Sequence, residues 1–367
     1  METQGSLENH ISALDIGNSL CIQMTLNTAI ELDVFNIIAK SGPGSGAHLS
    51  SKEIVSQIPT TNPISAAKNL ERILNLLSVN SFLSISLRPA TANDKTVQEK
   101  TYGLTKNALC LVPNEDGVSL APLIMTGSEM FTIQSLCKLK DSVLEPECSP
   151  FYKAHGEPYF EYISKKPEFI QLFEKLMIMR SYLYFDHKVL EAYRGFQELK
   201  ELMDVGGGDG SSIAKIVSMY PHIHGINFNL PSIIDQAPKY QGVKYVKGDM
   251  FKSIPKTQSI MLKEVLHNWD DEHCKKILRN CWDALPKAGK VIVVEYFMIP
   301  EELIKNTPET MNSITADIMM MTLTSGGKQR TTAEIDHLAI SVGFVETNIF
   351  PITHVTCVIE FLKRNIE

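Results

Sequence analysis

The chain has 367 residues, 44% of them hydrophobic, with a net charge of −7 and seven cysteines. That length and apolar content predict two domains with a sizeable core, and the acidic balance argues against a general nucleic-acid or anionic-membrane surface. The cysteine count is odd with no Cys-x-x-Cys pair, the N-terminus lacks a basic–apolar–small signal pattern, and no apolar run is long enough to span a membrane, so a cytoplasmic protein with reduced thiols is expected.

Apolar residues at helical spacing predict a helix over 20–39, with Leu32, Val34 and Phe35 near its end. A second helix spans 50–56 with Ser51 as its cap, and a third, amphipathic and Leu-rich, runs over 66–79. Residues 82–86 and 101–104 read as short strands, and the polar stretch 88–100 between them as the loop of a wing. Helices plus a winged hairpin predict a winged-helix unit over 1–115. DNA binding would require a clustered basic face, which this segment lacks. Residues 116–200 are mainly helical and connect two domains, with the pattern broken at Pro146 and Pro150 and resumed over 151–163. Residues 172–184 carry Phe173, Met177, Met179, Tyr182 and Tyr184, and Met319 to Met321 are adjacent. Such Met and aromatic stripes are ordinarily core, but three adjacent residues cannot share one helix face.

From 201 to 367 the pattern changes. Asp204 and Val205 end a strand, and Gly-Gly-Gly-Asp-Gly (206–210) follows as a turn with no Cβ to block a ligand. Ser211 and Ser212 open a helix whose free N–H groups and positive dipole end point back at that turn, a cradle for a nucleoside-type cofactor. Strands over 223–228, 243–246, 259–262 and 291–294 alternate with helices over 213–219, 232–237, 271–285 and 332–342. This predicts an α/β domain with a mainly parallel sheet, with ligands beyond the carboxyl ends of its strands. Gly206–Gly210, Asn229, Asp249 with Met250, and Lys263 through His267 fall at those ends. A dinucleotide site would place Gly-x-Gly-x-x-Gly near the N-terminus and an acid after the second strand. Asp-x-Gly-x-Gly-x-Gly followed by Gly-Asp-Met-Phe (248–251) fits S-adenosylmethionine better.

Gly-Ile-Asn-Phe-Asn-Leu-Pro (225–231), Gly-Asp-Met-Phe-Lys-Ser-Ile-Pro (248–255), Leu-His-Asn-Trp-Asp-Asp-Glu-His-Cys (266–274) and Gly-Gly-Lys-Gln-Arg-Thr (326–331) resemble the plant small-molecule O-methyltransferases of the caffeate type. The resemblance covers essentially the whole chain. Tyr-Gly-Leu-Thr (102–105), Asp-Gly-Val-Ser-Leu (116–120) and Ala-His-Gly…Phe-Glu-Tyr (154–162) are similar to the benzylisoquinoline-alkaloid branch. It implies a Rossmann-like methyltransferase domain preceded by a winged-helix dimerisation domain, hence a homodimer. It also implies a phenolic acceptor, an alkaloid first and a phenylpropanoid or flavonoid as alternatives, and no metal. By the same resemblance Gly206 and Gly208 approach the cofactor's amino-acid end, and Asp249 meets the adenine amine or a neighbouring hydroxyl. Met250 and Phe251 pack on the ring, Lys263 meets adenine or the carboxylate, and Ser181 touches the carboxylate. Asp204 holds the glycine turn and reaches toward the ammonium. Met130, Phe173, Met177, Met320 and Thr324 line the substrate pocket.

Moving a methyl group to a phenol requires removing its proton, and a phenol pKa near 10 leaves little phenolate at neutral pH. A positioned imidazole serves this purpose. His267 follows the fourth strand after a short turn, where a base would sit above the cofactor, and the resemblance assigns it the same role. Glu295 ends the fifth strand and would reach the same edge, orienting the imidazole and stabilising its charged form. His273 reads as a helix-surface residue and Trp269 as packing behind the base. The family supplies a second glutamate where this chain has Gln329. It also has acids at the positions of Asn229, which would hold the ribose hydroxyls, and Asn268. Three carboxylates are thus replaced by amides of similar shape, which motivates a second expectation: a weakly active or non-catalytic subunit of a heterodimer.

Overall fold

The computed structural model describes residues 3–42, 46–91, 94–299, 304 and 306–363. Two compact units are present, Met1–Met130 and Phe131–Glu367.

In the first unit the single helix expected over 20–39 is two, Thr3–Glu31 and Val34–Lys40. Asp33 breaks it by adopting φ 58°, a left-handed conformation that Asp tolerates better than most residues. Ser50, not Ser51, caps the helix Ser51–Val55, in a reciprocal capping box with Glu53. The helix Pro63–Val79 starts earlier than expected, because Asn62 caps it and Pro63 occupies its first turn. Strands β1 (His48–Leu49), β2 (Leu83–Thr91) and β3 (Asp94–Leu104) form an antiparallel sheet in the order β1-β3-β2. Most of 88–100, expected as a loop, is therefore paired strand, with Leu87 opposite Lys100 and Arg88 opposite Glu99. Leu87 and Val97 are exposed there, so no buried face imposes an alternating pattern on this part of the hairpin. Phe35, Ile38, Leu74, Leu77 and Tyr102 fill the core.

The second unit is built on a seven-stranded sheet. Its strands are β4 (Glu201–Val205), β5 (His224–Asn229), β6 (Val243–Lys247), β7 (Ser259–Lys263), β8 (Lys290–Tyr296), β9 (Glu346–Pro351) and β10 (Thr356–Leu362). The order is β6-β5-β4-β7-β8-β10-β9. The first five in that order are mutually parallel, as expected. β10, antiparallel to both β8 and β9, completes the sheet with two strands the apolar runs did not reveal. Ile260, Leu262, Val291 and Val293 are fully buried, as strands covered on both faces must be. The chain winds outward from β4 to β6, then returns to the other side of β4 at β7. That reversal opens a crevice beyond the carboxyl ends of β4 and β7. On one side of the crevice lies the helix Pro167–Arg180, which continues as a π-helical stretch, Ser181–Val189, a distortion frequent at functional sites.

Candidate active site

β7 ends at Lys263, and the chain turns abruptly because Glu264 takes φ 53°. A short 3₁₀ turn, Leu266–Asn268, then presents His267. Glu295, nearly the last residue of β8, reaches this turn with both carboxylate oxygens and is only 3% exposed. Its Oε1 accepts from the backbone N–H groups of Val265 and Leu266 at 2.9 and 2.8 Å. Its Oε2 lies 2.6 Å from His267 Nδ1. One side chain thereby fixes the turn and aims the imidazole. Among the described residues Nε2 has no hydrogen-bond partner, so with Nδ1 protonated toward Glu295 it presents a lone pair.

The acceptor side of the turn is equally engaged. Asn268 Nδ2 donates to the carbonyls of Glu264 and Val265 at 3.2 and 3.3 Å. A carboxylate has no donor for that purpose, so the amide at 268 fastens the loop. Arg330, 3% exposed, donates from Nη1 to the Leu266 carbonyl at 3.0 Å and from Nη2 to the Trp269 carbonyl at 2.7 Å. Asp271 Oδ1 anchors the guanidinium from the other side. A Cβ on Gly327 would fall 2.7 Å from the His267 carbonyl, so only glycine lets these two backbones meet.

Beside His267 lies a charged network whose pairings no sequence signal marked. Arg180 grips Glu264 Oε1 with Nε and Nη2 at 2.9 and 2.7 Å, its guanidinium 4.7 Å from the Tyr296 ring centre. Lys263 Nζ bonds Ser181 Oγ at 2.9 Å and Glu264 Oε2 at 3.3 Å. Burial opposes the Glu264 charge, but Arg180 and Lys263 outweigh it and hold its carboxyl well below the usual range.

At the end of β4 the glycine turn presents bare backbone. Gly208 has φ 57° and a Cβ there would meet nothing within 4 Å, whereas one on Gly207 would collide with the Asp204 carboxylate and Asn227 Oδ1. Asp204 is 1% exposed, and among the described residues neither of its oxygens has a partner; nor does Asn227 Oδ1. Burial pushes the Asp204 carboxyl up to about 7, with Lys263 pulling down and Asp209 pushing up. A buried acceptor without a donor beside an open glycine face suits a ligand that brings its own cation, so these residues fit an aminoacyl cofactor such as S-adenosylmethionine. Gly206, with φ 77°, starts the same turn. Asn229 ends β5, its Oδ1 accepting from Leu230 N–H at 2.8 Å. Asp249 Oδ1 closes the next turn through Phe251 N–H at 2.9 Å, and the Met250 carbonyl is held by Asn280.

The remaining expected residues are placed as follows. Phe251 and Trp269 pack edge to face at 4.7 Å, and Trp269 stacks on Phe160 at 6.3 Å. His273 is exposed and bonds Asp270, as a helix-surface residue would. Phe173 is half-buried against the cluster of Phe131, Phe151, Tyr159, Ile163 and Phe169, and Met177 and Met320 are half-buried. Thr324 is buried, with its hydroxyl donating to the Met320 carbonyl at 2.8 Å. Met130, last residue of the first unit, is exposed. Gln329 makes no hydrogen bond to His267. Its backbone N–H donates to Asp317 at 2.8 Å, and its buried Oε1 has no partner among the described residues. Among the described residues Glu295 alone thus holds the imidazole. Among the described residues no group of three or more His, Cys, Asp or Glu side chains is arranged to hold a metal, and no helix is long and apolar enough to cross a membrane.

The fold matches that of human N-acetylserotonin methyltransferase in complex with SAM, with a TM-score of 0.81 at 20% identity, covering 100% of this chain and 99% of that one. This defines a Rossmann-like methyltransferase architecture. Residues 136–345 match the model of the O-methyltransferase domain, and residues 14–114 that of the O-methyltransferase dimerisation domain. The chain is 46% identical to (S)-scoulerine 9-O-methyltransferase of Coptis japonica, covering 97% of this chain and 90% of that protein. It is 44% identical to myricetin 3-O-methyltransferase 3 of Solanum habrochaites (96% and 95% covered) and 43% identical to caffeic acid 3-O-methyltransferase of Medicago sativa (97% and 95%). The chain belongs to the O-methyltransferase family and is an S-adenosylmethionine-dependent O-methyltransferase.

Proposed function

We propose that this chain methylates a phenolic hydroxyl of a plant specialised metabolite with His267 as general base. The observation that carries this reading is the 2.6 Å contact from Glu295 to Nδ1, which leaves Nε2 as the free nitrogen. S-adenosylmethionine supplies the electrophilic sulfonium methyl group. His267 Nε2 takes the phenol proton, and Glu295 stabilises the imidazolium that results. Gly206, Gly208 and Asp204 hold the amino-acid end of the cofactor, and Ser181 and Lys263, already paired, meet its carboxylate. Asn229 takes the ribose hydroxyls, Asp249 the adenine side, and Met250 with Phe251 the ring face. Phe173, Met177, Met320 and Thr324 contact the acceptor. The similarity to an enzyme named for scoulerine favours a benzylisoquinoline or protoberberine phenol, ahead of the flavonols and phenylpropanoids named by the other relatives.

The segment matching a dimerisation domain supports a homodimer, and its helices with the β2–β3 hairpin support a winged-helix arrangement. The partnerless Gln329 Oε1 favours one second reading, a weakly active subunit that borrows catalysis from a related chain. Transfer of labelled methyl from S-adenosylmethionine to a panel of catechols and alkaloid phenols, by the purified protein and by His267→Ala, separates the two. The base reading expects turnover that falls by roughly 100-fold or more in the variant. Wild-type turnover retained in His267→Ala refutes it, and no turnover by the wild type alone favours the subunit.

A further inference from the structure

The geometry points to Arg330 as the positioning residue for the base, linking the segment that carries the acceptor contacts to the orientation of His267. This rests on the reading of His267 as base. Arg330 never touches the imidazole. It acts through the Leu266 and Trp269 carbonyls, which bracket His267 and Asn268 and which it holds at 3.0 and 2.7 Å. Glu295 secures the donor side of the same turn through two N–H groups, so a carboxylate holds the turn's N–H groups and a guanidinium its carbonyls.

Two features make this more than a packing contact. First, the grip needs a planar fork: two carbonyls of different residues and Asp271 Oδ1 are engaged at once, which the single ammonium of a lysine cannot reproduce. Second, Arg330 belongs to the segment leaving the helix Pro308–Leu323, which bears Met320 and leads to Thr324. Gly326 and Gly327 press that segment onto the base loop, where their Cβ atoms would meet Asp270 and the His267 carbonyl at 2.8 and 2.7 Å. A shift of the helix on acceptor binding therefore reaches the imidazole through Arg330 within three residues of Gly327.

The test needs no acceptor. The short Nδ1–H···Glu295 bond should give His267 a low-field imidazole N–H resonance in proton NMR, assigned by its absence in His267→Ala. In Arg330→Lys, with the charge kept and the fork lost, water exchange of that proton should speed up by roughly tenfold or more, the equivalent of one charged hydrogen bond. Calorimetric affinity for S-adenosylmethionine should stay within about twofold, since Arg330 contacts none of the residues assigned to the cofactor. In Arg330→Ala, added guanidinium ion should slow the exchange again. An unchanged resonance in Arg330→Lys, a parallel loss of cofactor affinity, or no response to guanidinium overturns the inference. A moved resonance together with full methyl transfer by His267→Ala keeps the grip and refutes only the base.

Discussion

Asp204→Asn is expected to make the ligand-free protein more stable and the cofactor bind less well. The Asp204 carboxylate is buried with both oxygens unpartnered, and burial raises it from an ordinary 3.8 to about 7. That difference is worth about 4 kcal/mol. Between pH 4 and 7 the folded protein holds a proton that the unfolded chain has already released. The Asp204 contribution to wild-type stability is therefore fullest below pH 4, falls as pH rises through this window, and is flat above it. Asparagine removes the charge, keeps the shape, and can donate to the partnerless Asn227 Oδ1. At pH 8 the variant should gain roughly 2–4 kcal/mol, or about 3–5 °C in Tm. At pH 5 the advantage should shrink by about 2–3 kcal/mol, because Asp204 is then protonated. Thermal unfolding of the ligand-free proteins by near-ultraviolet circular dichroism across pH 5–8 measures this. Calorimetry at pH 8 should show S-adenosylmethionine binding weakened by about tenfold or more in the variant. An advantage that does not vary with pH, or none at pH 8, would refute the reasoning about the buried carboxylate.

Glu295→Gln should cost more than a lost hydrogen bond. If its amide nitrogen faces His267, Nδ1 must become the acceptor and Nε2 takes the proton, the wrong tautomer for a base. Methyl transfer should fall by roughly 10³–10⁴ with little change in calorimetric cofactor affinity. Asn229→Asp keeps one oxygen for Leu230 N–H and offers the other, now charged, to the ribose. S-adenosylmethionine should bind about 5–30-fold tighter by calorimetry, and unchanged affinity would remove Asn229 from the ribose site.

The parallel half of the sheet is readable because β4, β5, β7 and β8 are short apolar runs ending in polar residues, which is what burial on both faces demands. The pairing of His267 with Glu295 is readable for the same reason: each stands at the carboxyl end of such a run. β10 escaped notice because Glu360 interrupts it, a charge tolerable there because Lys290 Nζ lies 2.6 Å away and the Tyr193 hydroxyl donates to the same oxygen. The hairpin beyond Leu87 escaped because it faces water. Arg180 with Glu264, and Arg330 with its two carbonyls, depend on contacts 84 and about 60 residues apart in the chain, and no local periodicity encodes those. The amides read as lost acids divide once their contacts are known. Asn268 is a donor that fastens the loop, whereas Gln329 faces no donor.

The double engagement of Glu295 has an evolutionary consequence. Its Oε1 holds the backbone of the turn whether or not any chemistry follows, while among the described residues the His267 side chain holds nothing but Glu295. A lineage released from selection for methyl transfer would still be constrained at 295 and free to drift at 267. Retention of the glutamate in a relative therefore reports only an intact loop; with His267 as the proposed base, the histidine is the position whose loss would record retirement from catalysis.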